Sequence, residues 1–406
     1  MKKVILILIL IVAIKSRAQD TTQILFIGNS ITYFNNMPQT FESIANSLDD
    51  TTEVTVYAPG GTGFVNHVND PNVYSHFKQK QWDFIVLQPG SNESPGYSFS
   101  IQETYSRAQT LLDSIYKYNP CCKILFYEIS YGVWGNSAAN LVTYNNTMSA
   151  IKTNLEYLAD STKTFFAPVG EVFSHKWNAN QNDILWGGFG DIHPNAKGSY
   201  IAACTFYSSI FQKPSLGTSE ISSLTLQEAS HIQQLCDSTV LNHLSQWRIN
   251  SYNQITDFNF NIQSDTVLFS NTSQNTDSVK WDFGDGTYSI LQDPIHVFNS
   301  TGQYEVRLTT YKNGCEQSKT EIIHILSTEY INLTDNWNIY PNPVSETLFI
   351  ENTNNAPYSY KIYDLSGQLI YSGVAQAISV SDLNSGVYLI ERLDQTHSQV
   401  KMFMVR

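Results

Sequence analysis

An acyl-transfer site needs a nucleophile, a base, an acid behind the base and donors for an oxyanion. This chain offers each of them in a short segment with a characteristic setting. Gly28-Asn29-Ser30-Ile31-Thr32 follows directly on the apolar run Gln23–Ile27 and precedes a helix-compatible stretch, Met37 to Leu48. A serine hydroxyl there is a candidate nucleophile, and the helix start beside it offers free N–H groups to an oxyanion; the same residues also read as a turn with an N-cap. Gly60-Gly61-Thr62-Gly63 follows a second run, Val54–Tyr57, where glycine lets the backbone approach a ligand closely. Gly90-Ser91-Asn92 follows a third, Phe84–Leu87, and an Asn amide can donate to an oxyanion. Asp191-Ile192-His193-Pro194-Asn195 comes late, ahead of the helix-like Gly198 to Phe211. Its imidazole can take a serine's proton when an acid orients the ring. Taken singly, each segment reads equally as a turn or a structural histidine. Taken in chain order, three sheet-edge loops and one late histidine read as one site, with Ser30, His193 and the nearby Asp191 as its candidates. His67 reads as a partly buried structural residue, and Gln88 as a second choice to Asn92 as donor. Tyr33, Tyr131, Trp134 and Trp186 are candidates for an aromatic platform under sugar rings, or for core and interface positions.

The elements that must position these groups alternate along residues 20–251. Two further apolar runs, Lys123–Tyr127 and Thr164–Val169, join the three above, and helix-length segments such as Gln102 to Tyr118 separate them. Continuous apolar runs between helices predict a parallel α/β sheet covered by helices on both faces. In such sheets the carboxyl ends of the strands are where ligands bind, which is where the four segments fall. A helical tail, Leu224 to Arg248, closes the segment.

These blocks resemble the SGNH (GDSL-like) hydrolases over roughly Gln23 to Gln212. Gly28–Thr32 is similar to the family's first block, Gly61 to its second-block glycine, Asp83–Asn92 to the third-block strand leading into Gly-x-Asn, and His193-Pro194-Asn195 to the last block. The resemblance implies a flavodoxin-like parallel sheet sandwiched by helices. It also implies Ser30 as nucleophile, His193 as base, and an oxyanion hole from the Ser30 N–H, the Gly61 N–H and the Asn92 side chain, with Gly60 or Gly63 as substitutes for Gly61. One position departs. The family's acid stands three residues before the histidine, where this chain has Gly190; Asp191 stands two before. Either Asp191 still reaches the ring, or the site is a dyad whose ring is oriented by a backbone carbonyl or by another acid such as Asp183.

Beyond residue 253 helical periodicity stops and short alternating runs take over, among them Val267–Phe269, Val279–Trp281 and Tyr304–Leu308, which predicts a small all-β sandwich. Trp281-Asp282-Phe283-Gly284-Asp285-Gly286, with Pro294, His296, Phe298, Gly302 and Tyr304 after it, resembles the PKD domain, an immunoglobulin-like sandwich. Its aspartates read as turn residues or as calcium ligands. The last stretch, with Asn338–Pro343, Ile362–Gly367 and Ser385–Tyr388, resembles a type IX secretion sorting domain, which implies the type IX machinery as a partner. The expected organisation is a signal peptide at 1–18, a hydrolase domain at 20–251, a PKD domain at 255–327 and a sorting domain at 337–406.

Composition fits an exported enzyme. Charged residues are 15% of the 406, the net charge is −13 and no basic patch stands out, which argues against nucleic acid as a partner. Met1-Lys2-Lys3, the apolar run Val4–Ile14 and Ser16-Arg17-Ala18 have the order of a signal peptide, and no later stretch is long enough to span a membrane. The five cysteines, Cys121, Cys122, Cys204, Cys236 and Cys315, allow one or two disulfides with a thiol left over. They show no metal-ligand spacing, so a structural zinc is not expected, and acyl transfer by a serine and a histidine needs neither a metal nor an organic cofactor. Cys121 and Cys122 read as surface and core positions on the approach to a strand. The expectation is a secreted or cell-surface serine esterase acting on carboxylic esters, with acetylated polysaccharide as the substrate. The alternative is a carbohydrate-binding or adhesion protein built on a hydrolase fold that has lost turnover.

Overall fold

The computed structural model describes residues 21–326, 337–351, 358–393 and 398–406. The expected signal peptide lies outside the described residues. The chain forms two units, divided between residues 327 and 328.

The first unit opens with a parallel sheet of β1 (Thr22–Ile27), β2 (Thr52–Tyr57), β3 (Phe84–Leu87), β4 (Lys123–Tyr127) and β5 (Phe165–Ala167), in the order β2-β1-β3-β4-β5. This is the flavodoxin-like doubly wound order. The switch point lies between β1 and β3, whose register pairs Ile27 with Leu87. The helices are α1 (Ser30–Tyr33), α2 (Met37–Ser47), α3 (Phe64–His67), α4 (Pro71–Gln79), α5 (Ile101–Tyr118), α6 (Ala138–Thr162), α7 (Val169–Ala179), α8 (Ala196–Phe211) and α9 (Leu226–Leu241). Both faces of the strands are apolar because both are covered. Phe26 meets Phe41 of α2 and Phe206 of α8, and Tyr127 meets Phe206 as well. On the other face Phe126 meets Phe64 of α3.

The run expected to be a strand through Val169 stops at Ala167. Pro168 cannot donate to a ladder and instead stands at the N-cap of α7. The helical tail ends at Leu241, and a chain of turns carries on to Trp247. Its carbonyl accepts from Phe166 N at 3.2 Å and its ring packs edge-on against Phe166, which covers one edge of β5.

The remainder of this unit is a two-sheet antiparallel sandwich. One sheet holds Phe258–Gln263, Thr266–Asn271 and Ile295–Val297; the other holds Ser278–Asp282, Tyr288–Ser289, Gly302–Lys312 and Cys315–Ile325. Trp281 is fully buried between them with Phe258, Phe269 and Phe283 around it. The long hairpin turns at Asn313-Gly314, both at positive φ, the two-residue turn that Asn-Gly sequences favour. Its tip is bonded to the α/β domain by a Cys121–Cys315 disulfide. Cys121 is exposed and its neighbour Cys122 buried, while Cys122, Cys204 and Cys236 are free thiols.

The second unit is another antiparallel pair of sheets. They are built from Asn338–Tyr340, Thr347–Glu351 and Ala377–Ser379, and from Leu369–Ala375, Tyr358–Tyr363, Gly386–Leu393 and Ser398–Val405. Leu348, Ile362, Ile390 and Phe403 lie in its core. Among the described residues no helix is long and apolar enough to cross a membrane.

Candidate functional site

The chain leaves β1 at Gly28, where there is no room for a side chain: a Cβ would stand 2.3 Å from Thr32 Oγ1 and 2.7 Å from Gln88 Oε1. Asn29 then caps α1, its Oδ1 accepting from Ile31 N at 2.9 Å while its Nδ2 donates to Thr62 O at 2.7 Å. Ser30 is therefore the first residue of a helix, with its N–H among those a helix cannot satisfy itself. Gln88 is wholly buried behind this turn, accepting from Asn29 N and Thr32 Oγ1 and donating to Pro89 O. Its oxygen and one N–H are thereby spent inside the turn, and the side chain is buried there rather than lining the cleft of Gly61 and Asn92.

Ser30 Oγ lies 2.8 Å from His193 Nε2, and His193 Nδ1 lies 2.7 Å from Asp191 Oδ1. The hydrogen bond from the His193 backbone N–H, with the ring's own bond behind it, holds the Asp191 carboxyl below the usual carboxylate range. An ionised carboxylate only accepts, so Nδ1 carries the ring proton and Nε2 is left to accept from the Ser30 hydroxyl. The two-residue spacing works because one oxygen serves twice. Asp191 Oδ1 accepts from His193 N at 2.9 Å in a tight turn, which folds the ring back over the same carboxylate. Gly190, just before the acid, has φ +83°, a conformation suited to glycine, and supports the bend. Asp183 is engaged elsewhere, by Lys176 and Lys197.

The His193 ring is also held from its face and through its loop. Phe34 stacks on it at 4.2 Å and 20°. Asn35, at φ 53°, donates to Pro194 O and Ser199 Oγ, and Ser199 returns a bond to Phe34 O. Asn195 caps α8 through Gly198 N and donates to Ile184 O. Phe34, Asn35 and Ser199 went unread in the sequence. They lie outside the four blocks, and only the meeting of the serine and histidine loops gives them a task.

The two loops carrying the expected oxyanion donors are joined by another unread residue, Glu93. Its side chain is buried and accepts from Phe64 N at 2.7 Å, Val65 N at 3.0 Å, Gly90 N at 2.8 Å and Arg107 at 3.1 Å. Around it the glycines differ. Gly63 has no space for a Cβ, which would stand 2.3 Å from Glu93 Oε2, and its N–H donates to Asn66 Oδ1. Gly61 stands in open space at φ +73°. Gly63 is thereby a packing glycine, and Gly61 keeps its candidacy beside Gly60. Asn92 lies on the same cleft, its Oδ1 accepting from Tyr131 OH at 3.0 Å.

Among the other expected residues, His67 is fully buried and burial depresses its basicity. Trp186 does not join any platform. It is 1% exposed and packs between Trp177, Phe173 and Tyr144, so the core has claimed it. Tyr33 and Trp134 are exposed at 44% and 56%. In the sandwich, Asp282 and Asp285 accept from Gly284 N and from Thr287, the bonds of turn residues. Among the described residues no group of three or more His, Cys, Asp or Glu could hold a metal ion.

Residues 254–325 match the PKD domain family, and residues 338–406 match the secretion system C-terminal sorting domain family. A comparison with curated proteins gives no match. Several solved structures are similar. A DUF4886 family protein from Bacteroides uniformis is 16% identical, with 55% of this chain and 95% of that one covered and a TM-score of 0.47. A protein from Slackia heliotrinireducens described as an SGNH hydrolase is 23% identical over 47% of this chain and 98% of that one, with a TM-score of 0.38. A catalytic mutant of an acetylxylan esterase from Geobacillus stearothermophilus is 15% identical over 46% of this chain and 94% of that one, with a TM-score of 0.37. The fold class itself rests on the strand order and parallel register above. By these matches the chain carries a PKD domain and a secretion system C-terminal sorting domain behind a flavodoxin-like α/β domain, and the sorting domain marks it as an exported protein, secreted or held at the cell surface.

Proposed function

We propose that the α/β domain is a serine esterase that hydrolyses carboxylic esters through an acyl-enzyme. The observation that carries this reading is the hydrogen-bonded chain from Ser30 Oγ through His193 to Asp191, at 2.8 and 2.7 Å. In this reaction Ser30 attacks the acyl carbonyl as His193 Nε2 takes its proton. Asp191 holds the ring and stabilises the imidazolium that forms. Negative charge gathers on the former carbonyl oxygen, which the Ser30 N–H, the Gly61 N–H and the Asn92 amide receive. His193 returns the proton to the leaving alcohol, and water, activated by the same base, releases the acid and frees Ser30. The Phe34 stack and the Asn35 bonds keep the ring at bonding distance before substrate arrives.

The test is hydrolysis of p-nitrophenyl acetate by wild type and by Ser30→Ala. The esterase predicts turnover in wild type that drops to background in the variant. Equal background rates in both would exclude it and leave a hydrolase fold kept for binding.

A further inference from the structure

The loops after β3 and β4 bring a set of aromatic rings to the edge of this site, and nothing in the ester chemistry above uses them. Tyr131 and Trp134 stack at 5.6 Å and 23°, and Tyr97 meets Tyr131 edge-on at 5.9 Å. Trp134 and Tyr97 are 56% and 59% exposed, so these rings are not filling a core. Exposed aromatic surface of this kind marks a contact with something else. Asn140, Thr143 and Thr147, from the first turns of α6, line the same concavity, which holds about 370 Å³, within the ~300–1,000 Å³ range of small-molecule pockets.

Two contacts tie the shelf to the reacting groups. Gly132, between the two stacked rings, packs against the catalytic loop, where a Cβ would stand 2.4 Å from Asp191 O, and Gly190 N donates to Val133 O at 2.7 Å. On the other side Tyr131 OH donates to Asn92 Oδ1. With the oxygen end of the Asn92 amide engaged by this hydroxyl, the NH₂ end is left to donate.

We propose that Tyr131, Trp134 and Tyr97 form a subsite for a pyranose ring of the leaving alcohol, with Tyr131 also acting as a positioning residue for the Asn92 amide. This rests on the esterase reading and makes its substrate an acylated sugar. A flat aromatic face suits the C–H face of a pyranose, and the Asn140 amide on the facing wall suits its hydroxyl edge. Thr147 serves the shelf itself, its Oγ1 bonded to Tyr97 OH at 2.6 Å, and Thr143 Oγ1 donates to Ala139 O. A long acyl chain would meet the Asn140 amide on that wall, and an aromatic acyl group could stack yet would leave the amide without a partner.

The experiment compares three esters on the full chain: ethyl acetate, which has no ring, methyl cinnamate, and partially acetylated xylo-, gluco- and manno-oligosaccharides. In Trp134→Ala we expect kcat/KM for at least one acetylated oligosaccharide to fall about tenfold more than for ethyl acetate, through KM. Tyr131→Phe keeps the stack and loses only the hydroxyl. It should lower kcat on every ester about tenfold with KM little changed. A Trp134→Ala effect equal on all esters, or confined to methyl cinnamate, overturns the sugar subsite, and an unchanged kcat in Tyr131→Phe overturns the positioning role. If wild type hydrolyses none of the esters, it is the esterase reading that fails. The subsite is then judged by calorimetric titration of the same oligosaccharides into Ser30→Ala with and without Trp134→Ala: binding lost with Trp134 supports it, and no binding in either overturns it.

Discussion

Asp191 stands only two residues before His193, and a tight backbone turn lets its carboxylate meet the ring. Because Oδ1 accepts both from the His193 N–H and from Nδ1, the carboxylate shapes the loop as well as the ring. Two substitutions separate these tasks. Asp191→Asn can keep both bonds through its Oδ1 but loses the charge that stabilises the imidazolium; we expect kcat on p-nitrophenyl acetate to drop at least about tenfold with an unchanged unfolding midpoint. An unaltered kcat would mean that the charge of this acid takes no part in the reaction. Gly187 tests the loop from outside. A Cβ there would stand 2.2 Å from Asp191 Oδ2, so Gly187→Ala must push the carboxylate off the ring. We expect at least a tenfold fall in kcat, checked against circular dichroism to show that the fold persists. Ser30 and His193 could be singled out as candidates because strand-end turns and a late His-Pro-Asn leave local marks, and the fold brings the two within hydrogen-bond distance. That Asp191 would reach was not legible, since it depends on the φ of Gly190 and the path of a single turn.

Between elements, buried carboxylates decide how the loops meet. Glu93 gathers three backbone N–H groups and Arg107 from two strand-end loops and α5. Glu93→Ala would leave the three N–H groups without this acceptor and Arg107 with only the more distant Glu103, at a cost of about 3–5 kcal/mol. It should be read as a lower urea midpoint together with reduced kcat, because the Gly61 and Asn92 loops lose their common anchor. Glu128, at the carboxyl end of β4, is a different case. It is fully buried, and burial, followed by the neighbouring Glu171 charge, raises its pKa to about 8, against the pull of Lys152. It accepts from Glu171 N at 3.0 Å. Since the folded pKa lies above the unfolded one, its protonation favours the folded state at low pH, and that contribution fades as pH rises from the ordinary Glu range, ~4.3, through about 8. Glu128→Gln should remove that part of the slope and raise Tm relative to wild type at pH 9, measured by thermal unfolding across pH 4 to 9; parallel curves would refute it. The helices and strands were readable from apolar periodicity. Neither carboxylate was, because a Glu in a turn looks the same in sequence whether it faces water or four donors.

At the scale of the whole chain, the first sandwich is fastened to the α/β domain. The Asn313-Gly314 turn brings Cys315 to Cys121, which is 194 residues away. Beside this bond Gln254 Nε2 donates to Thr310 O and Oγ1, and Lys312 Nζ donates to Tyr252 O. Cys315→Ser should lower stability by about 2–4 kcal/mol, seen as a lower Tm for the first unit, and a reducing agent should produce the same shift in wild type. A Tm indifferent to both would show that the polar contacts suffice alone. Activity on p-nitrophenyl acetate should survive, since no reacting group touches this junction.

What the sequence by itself determined is whatever local chemistry controls: the alternation of apolar strands and helices, the change to β grammar after residue 253, the Asn-Gly hairpin, and a serine and a histidine at the ends of their elements. What only the tertiary structure decided are matters between distant segments. Among them are which glycine has its N–H already spent, which way the Asn92 amide faces, that Trp186 belongs to the core and Trp134 to the surface, and which cysteine pairs with Cys315. The physical reason is range. Periodicity and turn propensity act over a few residues, whereas a hydrogen bond or a disulfide depends on where the packed sheet and its loops bring two far parts of the chain.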